Sequence, residues 1–179
     1  MDLLIEFAGT GRVGPIHGGM TLAAASAVLG PGHPHPAIRL LGGKADGYPY
    51  RWDSLSLDVI RDRVSSIKLE TWPGHTFSVP SPLTPKGGPH ESTVTKHEFR
   101  AALDDAHVGY SIEEPYLIDR QSVIRVAGTA VTAMFSRFDE KDLGVRPGDY
   151  LLSVPRTSRF LRTAQLSPRG RRAAPRGPR

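Results

Sequence analysis

The stretch SLSLDVIRDRVSSIKLETW, residues 54–72, decides the fold class. Leu55, Leu57 and Val59 recur at every second position, and so do Ile67 and Leu69 after the polar break at Arg61, Asp62 and Arg63. Ser66, Lys68 and Glu70 occupy the alternate positions of the second run. In a strand, successive side chains point to opposite faces. A period of two with one polar face therefore reads as an antiparallel sheet packed on one side and wet on the other.

N-terminal to this pair, TLAAASAVLG reads as a short helix beginning after Thr21, whose hydroxyl can accept from the free N–H groups of the first turn. Met20 stands where it can pack on Ala25, and Leu22, Ala25, Val28 and Leu29 share a face. Gly30 suits a left-handed terminus and Pro31 forbids continuation. Strands are predicted at 38–41 and 48–52. Residues 73–92, rich in Pro, Gly and Ser, read as a linker.

A second helix follows in TKHEFRAALDDAHV. Thr95 and Glu98 form a capping-box pair, and Phe99, Ala102, Leu103 and Ala106 make one apolar stripe. Strands are predicted at 108–112, 122–126, 130–135 and 149–154, with Ala127, Gly128 and Thr129 as a hairpin turn. Both halves thus run from a capped helix into antiparallel strands. The expected fold class is α+β, built of a first helix-plus-sheet unit (1–72), the linker (73–92), a second unit (93–154) and a basic tail (155–179) predicted to be disordered.

Charge is divided as the architecture is. The 179 residues carry a net charge of +5, but eight arginines and no acid lie between 156 and 179, so residues 1–155 stand at −3. From Ser167 the tail holds only Ser, Pro, Arg, Gly and Ala, and cannot bury enough apolar area to offset an ordering entropy of about 1–2 kcal/mol per residue. There is no cysteine, which excludes disulfides, thiolate metal sites and cysteine nucleophiles. The opening MDLLIEFAGTGR lacks the basic start and long apolar run of a secretory signal, and no run approaches the roughly 18 apolar residues of a membrane span. A soluble, cytoplasmic protein without a membrane association is expected.

Several chemistries can be weighed residue by residue. Gly9, Gly11 and Gly14 match G-x-G-x-x-G, and DLLIEFA before them could form a strand, but Pro15 and Gly18–Gly19 deny the helix whose N-terminus would hold a phosphate. His33 and His35 could face one ion only with two further ligands, such as His17 or a carboxylate, and histidines between prolines read better as loop residues. No G-x-S-x-G elbow exists, and the adjacent acids Asp104–Asp105 and Glu113–Glu114 read as solvated faces. No catalytic residue, metal ligand or cofactor is assigned. Tyr48, Tyr50 and Trp52 fall on one face of an extended segment and, with Trp72, are candidate protein-interface anchors, core packing being the other reading. Arg169, Arg171, Arg172, Arg176 and Arg179 are candidate polyanion contacts.

The residues Gly19, Met20, Thr21, Leu29, Gly30 and Pro31 or Pro34 carry a resemblance. Their pattern of Gly-Met-Thr, short helix, Leu-Gly and nearby Pro resembles the start of the tandem helix-plus-sheet module of the beta-lactamase inhibitor protein. Small outer-membrane assembly lipoproteins of the SmpA/OmlA type and bacterial immunity-like proteins share it. Ala25 departs from the polar helix residue expected there, and no lipidated cysteine is present. What the resemblance implies is a protein-binding sheet surface. The leading expectation is a non-enzymatic module, such as an immunity-type inhibitor, that binds a partner protein through a sheet face. The alternatives are a nucleic-acid-associated protein acting through the tail and a small metal-dependent or hydrolytic enzyme.

Overall fold

The computed structural model describes residues 1–42, 46–83, 90–116, 121–139 and 146–157. Its spine is the predicted strand pair, now β3 (Leu55–Ile60) and β4 (Arg63–Glu70). Ile60 pairs with Arg63, so only Arg61 and Asp62 form the connection, with φ of 48° and 62°. Positive φ at both central residues is the type I′ geometry, whose twist matches that of the flanking strands. β2 (Pro49–Trp52) extends the meander on one side, and β1 (His33–Pro34) caps that edge.

The second meander contains β7 (Tyr110–Tyr116), β8 (Gln121–Val126), β9 (Thr132–Phe138) and β10 (Gly148–Thr157). β10 joins the halves. Its first part pairs with β9, a register shift falls between Leu151 and Ser153, and residues 153–157 pair with β4. The result is one eight-stranded antiparallel sheet in the order β1-β2-β3-β4-β10-β9-β8-β7. The α+β reading is correct, and the two predicted helix-plus-sheet units share this sheet.

Four helices occur. Two match prediction: α2 (Leu22–Leu29), with Ala24 N–H donating to Thr21 Oγ1 at 3.1 Å, and α4 (Lys96–Asp105), with both halves of the Thr95–Glu98 capping box formed. Residues 2–8, considered for a strand, lie instead in α1 (Asp2–Thr10). Leu4, Phe7 and Ala8 bury one face at helical spacing, and Gly11, at φ 67°, closes the helix by donating to the Phe7 carbonyl. The strand predicted at 38–41 is also replaced by a helix, α3 (Pro36–Leu41). Pro36 has the φ that a first helical position needs, and His35 Nδ1 accepts from Ala37 N–H at 3.2 Å. A four-residue apolar run does not itself distinguish strand from helix.

The stretch that reads as a linker is built into the fold where it is described. It holds β5 (Thr76–Phe77), a 3₁₀ turn at Ser81–Leu83 and β6 (His90–Glu91), and it buries Phe77, Val79 and Leu83 in the common core. Ser54 N–H donates to the Ser78 carbonyl, tying this stretch to the turn between β2 and β3. Pro155 and Arg156, assigned to the tail from sequence, lie in β10 opposite Lys68 and Ile67. Residues beyond Thr157 are outside the described set.

The core lies on one side of the sheet. Rows such as Trp52–Leu55–Leu69–Val154 meet Leu4, Phe7, Ala25, Phe99 and Leu103 of the helices. Phe99 packs edge-on against Phe135 with centroids 5.7 Å apart. No helix among the described residues is long and apolar enough to cross a membrane.

Candidate functional site

Register decides which predicted anchors reach solvent. Tyr50 stands opposite Leu57 and Trp52 opposite Leu55, so both face the helices rather than the wet side. Trp52 is 5% exposed and its Nε1 donates to the Gly30 carbonyl at 2.9 Å. Tyr50 is half-buried beside it, the rings 6.5 Å apart. Tyr48, just before β2, stacks on His35 at 5.2 Å. Trp72, in the loop after β4, is 49% exposed and makes no ring contact with the other three. Tyr50 and Trp52 are thus brought together as packing, while Trp72 stands apart at the surface. The five candidate tail arginines, Arg169, Arg171, Arg172, Arg176 and Arg179, lie outside the described residues.

The opposite face of the sheet presents two cross-strand rows. One runs His33–Arg51–Ser56–Lys68–Pro155, and the other Glu70–Ser153–Met134–Val123–Glu113. The small serines at 56 and 153 are buried between longer neighbours. Glu70 accepts from Lys68 Nζ at 3.0 Å and Arg51 at 3.3 Å, while Arg125 pairs with Glu113 one strand away. That hydrogen bond from Arg125 lowers the Glu113 pKa. Asp58, alongside Ser66 on this same face, has its pKa raised by burial, a rise partly offset by a hydrogen bond from Ser66 and the charge of Lys68. Alternation along β4 reveals Lys68 and Glu70 from sequence. Arg51 and the Arg125–Glu113 pair were missed because their neighbours are set by register between distant strands.

At the edge of the sheet a groove of about 440 Å³ opens between the carboxyl end of α2, the end of β2 and the 3₁₀ turn. Val28, Leu29, Pro31 and Pro82 line it together with His33 and Asp53. Gly32 lies flat on the Trp52 indole: a methyl group there would sit 2.4 Å from the ring carbon Cζ2. The two histidines weighed as metal ligands separate, His33 to the groove and His35 to the cap of α3. Among the described residues no three His, Asp or Glu side chains converge on one point.

The sequence matches no protein-family model, and neither a curated protein nor a solved structure matches the chain.

Proposed function

We propose that this chain is a protein-binding module that engages its partner through the outer face of the eight-stranded sheet, as an immunity-type inhibitor would. One observation carries the reading: the core and the helices that build it lie on one side, while the other presents an ordered, mixed-charge surface. Arg51, Lys68, Arg125 and Glu113 expose between 41% and 57% of their side chains there. Such a surface selects partners by charge complementarity and is a poor match to a like-charged one. Half-buried Met134, between Ser153 and Val123, adds an adaptable apolar contact at the centre of the second row. Exposed Trp72, two residues after Glu70, supplies an aromatic anchor beside the face.

The test is affinity capture from the source organism with the full chain and its R51E/K68E variant. The wild type is expected to retain one stable protein, and the double reversal to weaken retention by about tenfold or more, since like-charge juxtaposition costs several kcal/mol. Retention is compared below the unfolding midpoints of both forms, because the reversal turns the attractions of Arg51 and Lys68 to Glu70 into repulsions and lowers stability as well. Equal retention by the two forms, or no retained protein, overturns the reading. The immunity-type role requires further that expressing the captured partner alone arrests growth and that this chain relieves it.

A further inference from the structure

We infer that the groove at the carboxyl end of α2 is a docking site for an arginine side chain carried on an extended segment of another protein. The lining carries one fixed charge, the Asp53 carboxylate, and its side-chain donors are confined to the Trp52 indole and to His33 and Ser81, which can accept as well as donate. Pro31, Pro80 and Pro82 have no N–H to offer. The single indole N–H, that of Trp52, is already committed to the Gly30 carbonyl.

The end of α2 supplies acceptors. In α1, α3 and α4 the residue after the helix returns its N–H to a carbonyl of the last turn: Gly11 to Phe7, Gly42 to Ile38 and Ala106 to Ala102. Gly30, at φ 78° and ψ −179°, turns the chain away from α2 and makes no such bond. The carbonyls of that turn are left to the negative end of the helix dipole. Across the groove, the Asp53 carboxylate accepts only from Ser78 Oγ at 3.4 Å and has no ion-pair partner among the described residues.

A guanidinium is the complement of this set. It carries five N–H donors, no acceptor and a permanent charge in a planar fork. Its aliphatic stem can lie along Val28, Leu29 and the proline rings, as long cationic side chains do on apolar surface. The volume is at the small end of the ~300–1,000 Å³ range of ligand pockets. It has room for one side chain and the backbone around it, which favours an extended segment over a folded domain. His33 at the sheet edge borders both surfaces, but the α2 terminus and Asp53 that define this site belong to the groove and not to the outer rows, so the two proposals are tested separately.

The experiment is an NMR titration of the full chain, followed at the Trp52 indole N–H and the Gly30 and Gly32 amides. The probes are the capped peptide Ala-Pro-Arg-Pro-Ala and its citrulline counterpart, which keeps the shape and loses the charge. The arginine peptide is expected to shift these resonances, with citrulline and the D53N protein each binding it roughly tenfold more weakly. Asn tolerates the φ of 51° at position 53, so D53N should remain folded. R51E/K68E, which keeps Asp53 and makes its surroundings more negative, should bind the arginine peptide at least as tightly as the wild type. Equal binding of the two peptides, or an unchanged affinity in D53N, overturns the proposal. So does binding that emerges only after residues 158–179 are removed, which would identify the chain's own arginines as the occupant.

Discussion

α2 and α4 hold equivalent places, each capped by a threonine ahead of a run of strands, yet they are secured in different ways. α4 sinks Phe99 and Leu103 fully into the core, with Phe99 against Phe135. α2, five of whose eight residues are Ala or Ser, fully buries only Ala25, packs Leu22, Val28 and Leu29 on the core only in part, and is secured mainly at its ends. At the start, Leu22 N–H donates to the Asp62 carbonyl and Val64 N–H to that of Met20. Past the far end, Trp52 holds Gly30. One helix is held by its face and the other by its termini, and only the second arrangement leaves a helix end open beside a groove.

The sharpest way to break this contrast is in the faces. F99A should cost about 3–5 kcal/mol in urea unfolding, because a fully buried ring leaves a cavity that its neighbours fill incompletely. V28A, on the half-buried face of α2, should cost no more than about 1.5 kcal/mol. Comparable losses in the two variants would mean that α2 also depends on its face. The reverse holds at the ends. G32A should cost about 1–3 kcal/mol, since the added methyl cannot coexist with the Trp52 ring in its present place. W52F, which removes the donor to Gly30 and keeps much of the ring, should cost about 1 kcal/mol in the same assay. If G32A unfolds as the wild type does, the indole is not what fixes the end of α2.

How much of this was legible in the sequence follows the range of the forces involved. Thr21, Thr95, Glu98 and the alternation at Leu55, Leu57, Ile67 and Leu69 act within a few residues, and each element they imply is present. Gly30 ends α2 as expected, but with ψ at −179° it is not in the left-handed helical conformation. The Ile38–Leu41 run was misread because its helix depends on His35 and Pro36 just upstream, whose capping role resembles loop punctuation. Tyr50 and Trp52 do share a face, as their spacing indicated, but which face depends on pairing with β3 and on helices elsewhere in the chain. The charged outer rows combine β4 with β10, strands some eighty residues apart, and no local pattern encodes that register. The proline-rich stretch concealed its buried Phe77, Val79 and Leu83 because irregular backbone has no period from which burial can be read.

The caps give a smaller test. T95A removes two bonds of Thr95 Oγ1, the one it accepts from Glu98 N–H and the one it donates to the Glu98 carboxylate, and leaves the bond from Thr95 N–H to that carboxylate in place. T21A removes one bond, from Ala24 N–H. Within the ~0.5–2 kcal/mol span of such losses, T95A should fall near the top and T21A near the bottom. Thermal unfolding of the two variants at one pH checks the order.

The finest distinction is in pH. Backbone and side-chain hydrogen bonds from Thr95 lower the Glu98 pKa. Its capping contribution is therefore complete above the unfolded carboxylate value of about 4.3 and is lost as pH falls through the lower folded value. Asp58 behaves oppositely. Burial raises its pKa, so folding is favoured while it is protonated, and that advantage is lost as pH rises from about 3.9 through the raised folded value. Relative to wild type, E98Q should show a deficit in unfolding free energy that grows with pH, and D58N a gain that grows with pH. Both differences should reach their plateaus by neutral pH. A D58N profile that runs parallel to the wild type would mean that Ser66 and Lys68 fully offset the burial of Asp58, leaving no folding advantage in the protonated form. In that case the outer face would keep Asp58 ionised at no net cost, and Asp58 would act there as a fixed negative charge beside Lys68.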